Sequence, residues 1–298
     1  MKGFPETVVI KPPAKVNLIL HILGKRSDGY HDLDSVMQKI DLTDTLTLSR
    51  CDEPGVQLCC PGSDVPEDES NLVWKAALLF LKEAGLEDSC GVSIVLEKNI
   101  PIAAGLGGGS SDAGCLLTAM NRLLQAGLSQ EVLLRLAKSL GADVPFFVVP
   151  HSAVRATGIG DRMEEHESLR DCSLLLVNPG FSVSTAWVYE NYTLTRVDKD
   201  SRLSDPREKG SRSGLLYPLH NDLEAVTIKR YPEIETIKRF MLDNGASSAL
   251  MSGSGPTVFG VFPDLIDAEN DRLHKCAAEF KRKYGKGVFV TRPVINGV

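Results

Sequence analysis

Four of the five residues from 105 to 109 are glycine (Gly105, Gly107, Gly108 and Gly109), and Ser110, Ser111 and Asp112 follow at once. Behind them Ala113, Leu116, Leu117, Met120 and Leu124 fall on one stripe at helical spacing. Ser110 is expected to cap this helix, and Asp112 in its first turn suits the positive end of the dipole. A glycine loop feeding a helix N-terminus leaves backbone N–H groups unshielded by side chains, which is the chemistry of a phosphate site. Gly108 is expected to need a positive φ or a close backbone approach to phosphate. A Walker loop requires Lys after its final glycine, where this chain has Ser110. A dinucleotide fingerprint requires glycine at that position and a strand ending at its first glycine. The nearest strand pattern, Val92, Ile94 and Leu96, ends well before Gly105, with Pro101 between. A flexible turn is the plain alternative, but flexible linkers do not run straight into a capped amphipathic helix.

Three other places carry reactive groups. Lys15 and Asn17 alternate with Val16, Leu18, Leu20 and Ile22, so both point to one face at the start of an apolar strand. A lysine at such a position is ordinarily solvated. Asp143 stands between Gly141, which ends a helix, and the apolar run from Val144 to Val149, read as a strand. An Asp there is ordinarily a turn former, yet Pro145 restricts Val144 and stiffens the backbone beside the carboxylate. Tyr30-His31, just past the turn Ser27-Asp28-Gly29, can grip a planar ring or simply pack.

The elements that must position these groups are short and mixed. Strands are predicted at 8–10, 16–22, 36–42, 46–48, 56–59, 91–96, 153–156 and 174–177. Further strands are expected up to Met251, from Thr257 to Val261 and from Val288 to Thr291. Helices are predicted behind Asn71, from Ser110, behind Ser129 up to Gly141, near Ser184 carrying Trp187 and Tyr189, from Pro232 to Leu242, and from Asp264 to about Lys281. Residues 196–213 are charged and almost free of apolar side chains, and are read as an exposed loop.

The 298 residues are 43% hydrophobic and 24% charged, which suits a globular chain of two domains. A net charge of −6 argues against a broad nucleic-acid footprint, so an anionic substrate must be met by a few local cations. Seven cysteines without a C-x-x-C pair support neither a disulfide framework nor a zinc site, and fit a reducing cytosol. No signal segment or membrane-spanning run is read from the sequence.

The segments Ala14-Lys-Val-Asn-Leu18, Arg26-Ser-Asp-Gly-Tyr-His31, Gly105-Leu-Gly-Gly-Gly-Ser-Ser111, Gly141-Ala-Asp-Val-Pro-Phe-Phe147, His220-Asn-Asp-Leu223 and Ser252-Gly-Ser-Gly-Pro-Thr-Val-Phe259 occur in one order along the chain. Together they resemble the GHMP kinases. The resemblance implies an α+β fold of two domains, residues 1–155 with a ribosomal-S5-domain-2-like architecture and residues 156–298 with a ferredoxin-like one. It implies an ATP-dependent kinase with Mg²⁺ as cofactor and a small-molecule alcohol as substrate. Within the family the match is nearest to a member acting on a cytidine diphosphate-linked methylerythritol in non-mevalonate isoprenoid precursor synthesis. By resemblance, Lys15 and Asp143 are the catalytic pair. Pro101, Ile102, Ala103, Ala104, Gly105, Leu106, Gly107, Gly108, Gly109, Ser110 and Ser111 wrap the ATP phosphates. Ser110 or Ser111 lies close to Mg²⁺, Asn71 lies near the adenine, and no protein metal ligand is assigned. Asn17, Tyr30, His31, Thr185 and Tyr189 contact the substrate, with Tyr30 and Tyr189 on opposite faces of the cytosine and His31 at its edge. A cytoplasmic monomer or weak homodimer, without nucleic-acid or membrane partners, is implied. The chain departs from the family at Ala103-Ala104, where some members keep glycines, at Tyr189, where some carry Phe, and in the length of 196–213. Other small-molecule kinases of the family, of homoserine or mevalonate type, are the alternative; Tyr30-His31 and Tyr189 argue against them, because a small aliphatic alcohol needs no base-stacking pocket. A nicotinamide-dependent oxidoreductase is a remoter one.

Overall fold

The computed structural model describes residues 7–192, 219–264 and 270–295. The charged stretch 196–213 lies outside the described residues, as do 265–269 at the start of the last expected helix. Two compact units emerge. The first comprises the described parts of Met1–Ala14, Leu42–Ile102 and Gly107–Pro150; the second comprises Lys15–Asp41, Ala103–Leu106 and His151–Val298.

In the first unit, β1 (Thr7–Ile10), β4 (Thr45–Cys51), β5 (Gly55–Cys59) and β6 (Gly91–Glu97) form one sheet in the order β1-β4-β6-β5. Helices α1 (Leu72–Glu83), α2 (Gly108–Leu123) and α3 (Gln130–Leu140) belong to the same unit. The inward residues of β4 and β6, Leu46, Leu48, Val92, Ile94 and Leu96, share one apolar core with Phe80 of α1 and with Leu116, Leu117 and Met120 of α2. The expected Ser129 cap holds, its Oγ accepting Val132 N–H at 3.3 Å, and Asn71 is found to cap α1, its Oδ1 accepting Val73 N–H at 2.9 Å.

The run after Asp143 is not a strand. Val144–Phe147 is a turn of 3₁₀ helix, all four residues buried. Pro145, whose fixed φ and missing N–H suit the first turn of a helix, sets this conformation. Gly114 of α2 admits it. A Cβ there would meet Val144 O at 2.7 Å and Phe147 Cβ at 2.8 Å, so only glycine lets α2 approach the backbone beside Asp143 so closely.

In the second unit, β2 (Pro13–Lys25), β3 (His31–Thr43), β7 (Ala153–Gly158), β8 (Arg162–Glu165) and β10 (His220–Asn221) form a sheet in the order β10-β2-β3-β7-β8. Another sheet runs β11-β12-β9-β13, from β9 (Cys172–Val177), β11 (Ser248–Met251), β12 (Val258–Pro263) and β13 (Val288–Thr291). Its core joins Leu175, Val177 and Val258 to Val188 of α4 (Thr185–Asn191), Leu223 just before α5 (Glu224–Arg230), Ile237 and Met241 of α6 (Glu233–Asp243) and Phe280 of α7 (Asn270–Tyr284). β8, β10 and α5 carry no period long enough to read in the sequence. Among the described residues no helix is long and apolar enough to cross a membrane, and all seven cysteines are free thiols.

Candidate active site

The glycine loop turns the chain earlier than its serines suggest. Gly105 and Gly107 hold φ of 78° and 70°, and Gly107, not Ser110, is the N-cap of α2, with no side chain capping the helix. Two left-handed glycines complete the turn before Ser110 is reached, and this glycine permissiveness is why the expected cap lies inside the helix. The first i→i−4 bond runs from Ser111 N to Gly107 O at 2.8 Å. By helix geometry the N–H groups of Gly108, Gly109 and Ser110 then lack an intrahelical acceptor and stand at the positive end of the dipole. Gly108 has no positive φ, being the first helical residue, so of the two expected reasons for a glycine there only the close approach to phosphate is left. Its tight neighbours are Ile100 Cγ2, 3.0 Å from a would-be Cβ, and Lys98 Nζ at 3.2 Å. Ala103, by contrast, holds φ 52° with a side chain.

Asp112 does not serve the helix end. The early start makes it the fifth helical residue, and it is turned onto Lys98, whose Nζ donates to Asp112 Oδ2 at 2.8 Å and also to Asp44 Oδ2. Asp44 Oδ1 accepts the N–H groups of Asn99 at 2.5 Å and Ile100 at 2.8 Å, which fixes the entry to the loop. All three ionisable groups are buried. Burial opposes the charge on Lys98, but the two carboxylates outweigh it and its pKa is raised. Burial pushes Asp112 up, Lys98 pulls it back and Asp44 pushes it further, leaving it at about 7. Burial is the main physical cause, with the neighbouring Asp44 carboxylate adding to it and the single shared ammonium opposing both. Beside it, Asp112 Oδ1 and the Ser111 hydroxyl are buried oxygens with no hydrogen-bond partner in the structure.

Asp143, also in the first unit, is the N-cap of the 3₁₀ turn, yet its carboxylate makes no capping bond to that turn. Asn71 is fully engaged: besides capping α1, its Nδ2 donates to Pro66 O at 2.6 Å.

In the second unit Lys15 and Asn17 share a face of β2, as expected. Both are 4% exposed, so the solvated lysine that a strand entry ordinarily gives is not found. Lys15 Nζ donates to Asn17 Oδ1 at 2.5 Å. The rest of the network dictates the orientation of that amide. Asn17 Nδ2 donates to Ser35 Oγ at 3.0 Å, whose own proton goes to Ile19 O at 2.8 Å, so the amide oxygen must face the ammonium. Ser252 Oγ lies 3.4 Å from Asn17 N and donates to Gly105 O at 2.9 Å. A Cβ on Gly105 would fall 2.2 Å from Ser252 O, and one on Gly253 would fall 3.6 Å from Lys15 Nζ. Asn221 holds this turn in place, donating to Met251 O and Gly253 O at 2.7 Å each. Thr185 Oγ1 and Ser254 Oγ, 2.8 Å apart, tie α4 to it.

His31 and Tyr189 come together, ring centroids 5.3 Å apart and tilted by 39°. Tyr30 is 63% exposed, and it is His31 that lies against Tyr189. Burial, with the charge of Lys25, lowers the pKa of His31, which favours a neutral imidazole able to donate at one nitrogen and accept at the other. Four polar residues of this site, Ser35, Asn221, Ser252 and Ser254, have no role in the sequence reading. Three of them lie in the matched segments 220–223 and 252–259, which was the available signal; Ser35 had none.

In the first unit, a helix N-terminus entered through left-handed glycines suits a phosphate group; the second unit, taken by itself, holds a buried lysine. Residues 71–150 match the GHMP kinases N terminal domain, and residues 201–278 match the GHMP kinases C terminal family. The chain belongs to the GHMP kinase family, small-molecule kinases that use ATP as phosphate donor. It is 44% identical over 285 residues to 4-diphosphocytidyl-2-C-methyl-D-erythritol kinase of Desulfotalea psychrophila, covering 96% of this chain and 95% of that one. The enzyme of the same name from Syntrophotalea carbinolica is 45% identical over 282 residues, covering 95% and 97%. A crystal structure of 4-(cytidine 5'-diphospho)-2C-methyl-D-erythritol kinase superposes with a TM-score of 0.77 at 31% identity, covering 98% of this chain and all of that one. Homoserine kinase from Cytophaga hutchinsonii shares the fold at 18% identity, with a TM-score of 0.70 and coverage of 100% and 97%.

Proposed function

We propose that this chain transfers the γ-phosphoryl group of ATP to the 2-hydroxyl of 4-diphosphocytidyl-2-C-methyl-D-erythritol, a step of non-mevalonate isoprenoid precursor synthesis carried out in the cytoplasm. The observation that carries the proposal is the 44–45% identity, over nearly the whole chain, to relatives bearing that one name. The site supports it residue by residue. The N–H groups of Gly108, Gly109 and Ser110, at a dipole end, suit the ATP phosphates, with Pro101, Ile102, Ala103, Ala104, Gly105, Leu106 and Gly107 shaping their cradle. Asn71, its side chain committed to α1, acts near the adenine through the loop it fixes.

Asp143 accepts the proton of the substrate hydroxyl as its oxygen bonds to the γ-phosphorus and the bond to ADP breaks. Lys15, aimed by Asn17, offsets charge on the moving phosphoryl group. Phosphoryl transfer needs alignment and charge neutralisation more than covalent help, and buried, oriented groups supply both. The buried, unpartnered Ser111 hydroxyl and the second oxygen of Asp112 are hard donors of the kind Mg²⁺ accepts. When bound, Mg²⁺ supplies charge neutralisation at the ATP phosphates. His31 and Tyr189, with Tyr30 and Thr185, take the cytosine end, and a neutral His31 matches the mixed donor–acceptor edge of that base. The domain boundary proposed for this family member is 155/156, and the working species a monomer or weak homodimer.

A panel of alcohols with ATP and Mg²⁺ tests the proposal by ADP release. The cytidylyl substrate should exceed homoserine and mevalonate by at least about 10²-fold in kcat/KM, because only it fills the base pocket. Comparable turnover of either small alcohol would overturn it.

A further inference from the structure

His21, His220 and Asp222 form a cluster in the second unit for which the kinase chemistry has no use. Parallel pairing sets His220 beside Ile19 and Asn221 beside Leu20. His21 is two residues along β2 from Ile19 and therefore on the same face. Its ring stacks on that of His220, centroids 4.5 Å apart and planes 28° from parallel. Asp222 closes the group. Its Oδ1 lies 2.7 Å from Nε2 of His220, and its Oδ2 lies 3.9 Å from Nδ1 of His21 while accepting the Ile22 N–H at 2.8 Å.

We propose that these three side chains bind one divalent transition-metal ion, Zn²⁺ being the ion they fit, with the remaining coordination position open to water. Two imidazoles and one carboxylate are the donor set of borderline metals, whereas Mg²⁺ and Ca²⁺ take oxygens throughout. The three ligand atoms already lie within 4.8 Å of one another. Bonds of about 2.0–2.2 Å at tetrahedral angles put donor atoms roughly 3.3–3.5 Å apart, so the widest pair closes by at most about 1.5 Å and the His220–Asp222 pair opens by less than about 1 Å. The His220 side chain is 48% exposed, so its outer side is open to solvent and leaves room for that adjustment. The Ile22 N–H orients the carboxylate from behind, as outer-shell bonds do at metal sites. One ligand on β2, one on β10 and one just after β10 would clamp the two strands together. Asn221, between two of the ligands, would carry that stiffening to the turn at Met251 and Gly253. A metal that binds only the native state raises its stability by mass action.

The experiment uses the full chain stripped of metal and titrated with Zn²⁺ alone, without nucleotide, followed by calorimetry and thermal unfolding. Wild type should take up one equivalent and unfold at a higher temperature with Zn²⁺ than without. His220→Ala, at a half-exposed position, should fold normally, bind at least about tenfold more weakly and lose most of the thermal shift. Because the chain has seven free thiols, Co²⁺ substitution should show tetrahedral d–d bands without thiolate charge-transfer absorption. The proposal is overturned by absence of stoichiometric binding to wild type, by undiminished binding to His220→Ala, or by a thiolate spectrum.

Discussion

Around residues 105–111 the groups offered to a ligand are backbone N–H groups, set by two left-handed glycines and one helix end. Around Lys15 they are side chains drawn from β2, β3 and the turn after β11, locked to one another by hydrogen bonds. The loop makes its chemistry from conformation, the lysine network from burial and pairing. Each therefore fails in its own way. Backbone sites break when a Cβ is added, and buried networks break when one partner is removed and the others are left unsatisfied.

The largest effect is expected at the proposed base. Asp143→Asn keeps the shape and removes the basicity, so kcat should fall by roughly 10²–10⁴ with both KM values little changed. Steady-state kinetics decide it; near-normal kcat would return Asp143 to the role of a turn residue.

Gly105→Ala is next, because Gly105 stands where loop and network touch. A left-handed φ costs a residue with a side chain about 1–2 kcal/mol, and the new methyl would fall 2.2 Å from Ser252 O. A Tm lower by roughly 5–10 °C is expected, with ATP affinity and kcat both reduced. A variant impaired in ATP binding alone would separate loop from network and break the comparison.

Much of the loop side was legible in the chain. Glycine spacing, the stripe behind it and the Ser129 cap are local signals. What the sequence misled on was where α2 begins and what Val144–Phe147 forms. In the first case two positive-φ glycines ended the turn before Ser110. In the second, Pro145 and the approach allowed by Gly114 overrode a strand-like apolar run. On the network side only the Lys15 and Asn17 alternation was legible. Their burial, the amide orientation set by Ser35 and the support from Asn221 and Ser252 come from partners up to 235 residues apart, and no local pattern encodes such pairings.

Asp112 sharpens the contrast by pH. Its carboxyl is raised in the native state from the ordinary 3.8 to about 7, with burial the main cause. Between those values the native state holds a proton that the unfolded chain has lost. Its contribution to stability is therefore present at low pH and lost as pH rises toward about 7. Asp112→Asn removes this titration. The stability of wild type relative to the variant, from denaturant melts, should fall between about pH 4.5 and 7.5. A constant difference would contradict the raised pKa. The smallest effect belongs to Ala103, at φ 52°. Ala103→Gly relieves a left-handed side chain but loosens the unfolded chain, for a net gain of about 1 kcal/mol or less. Tm should rise by about 1–3 °C with ATP affinity within twofold of wild type.

The division of labour between the two regions is tested most directly at Tyr189, which packs on His31 far along the chain from the glycine loop. Base–aromatic stacking is worth about 1–3 kcal/mol by alanine substitution. Tyr189→Ala should therefore raise KM for the cytidylyl substrate by about ten- to a hundredfold and leave KM for ATP within twofold, while Tyr189→Phe stays close to wild type. Wild-type KM for the cytidylyl substrate in Tyr189→Ala, or an equal loss for both substrates with a lowered Tm, would contradict it.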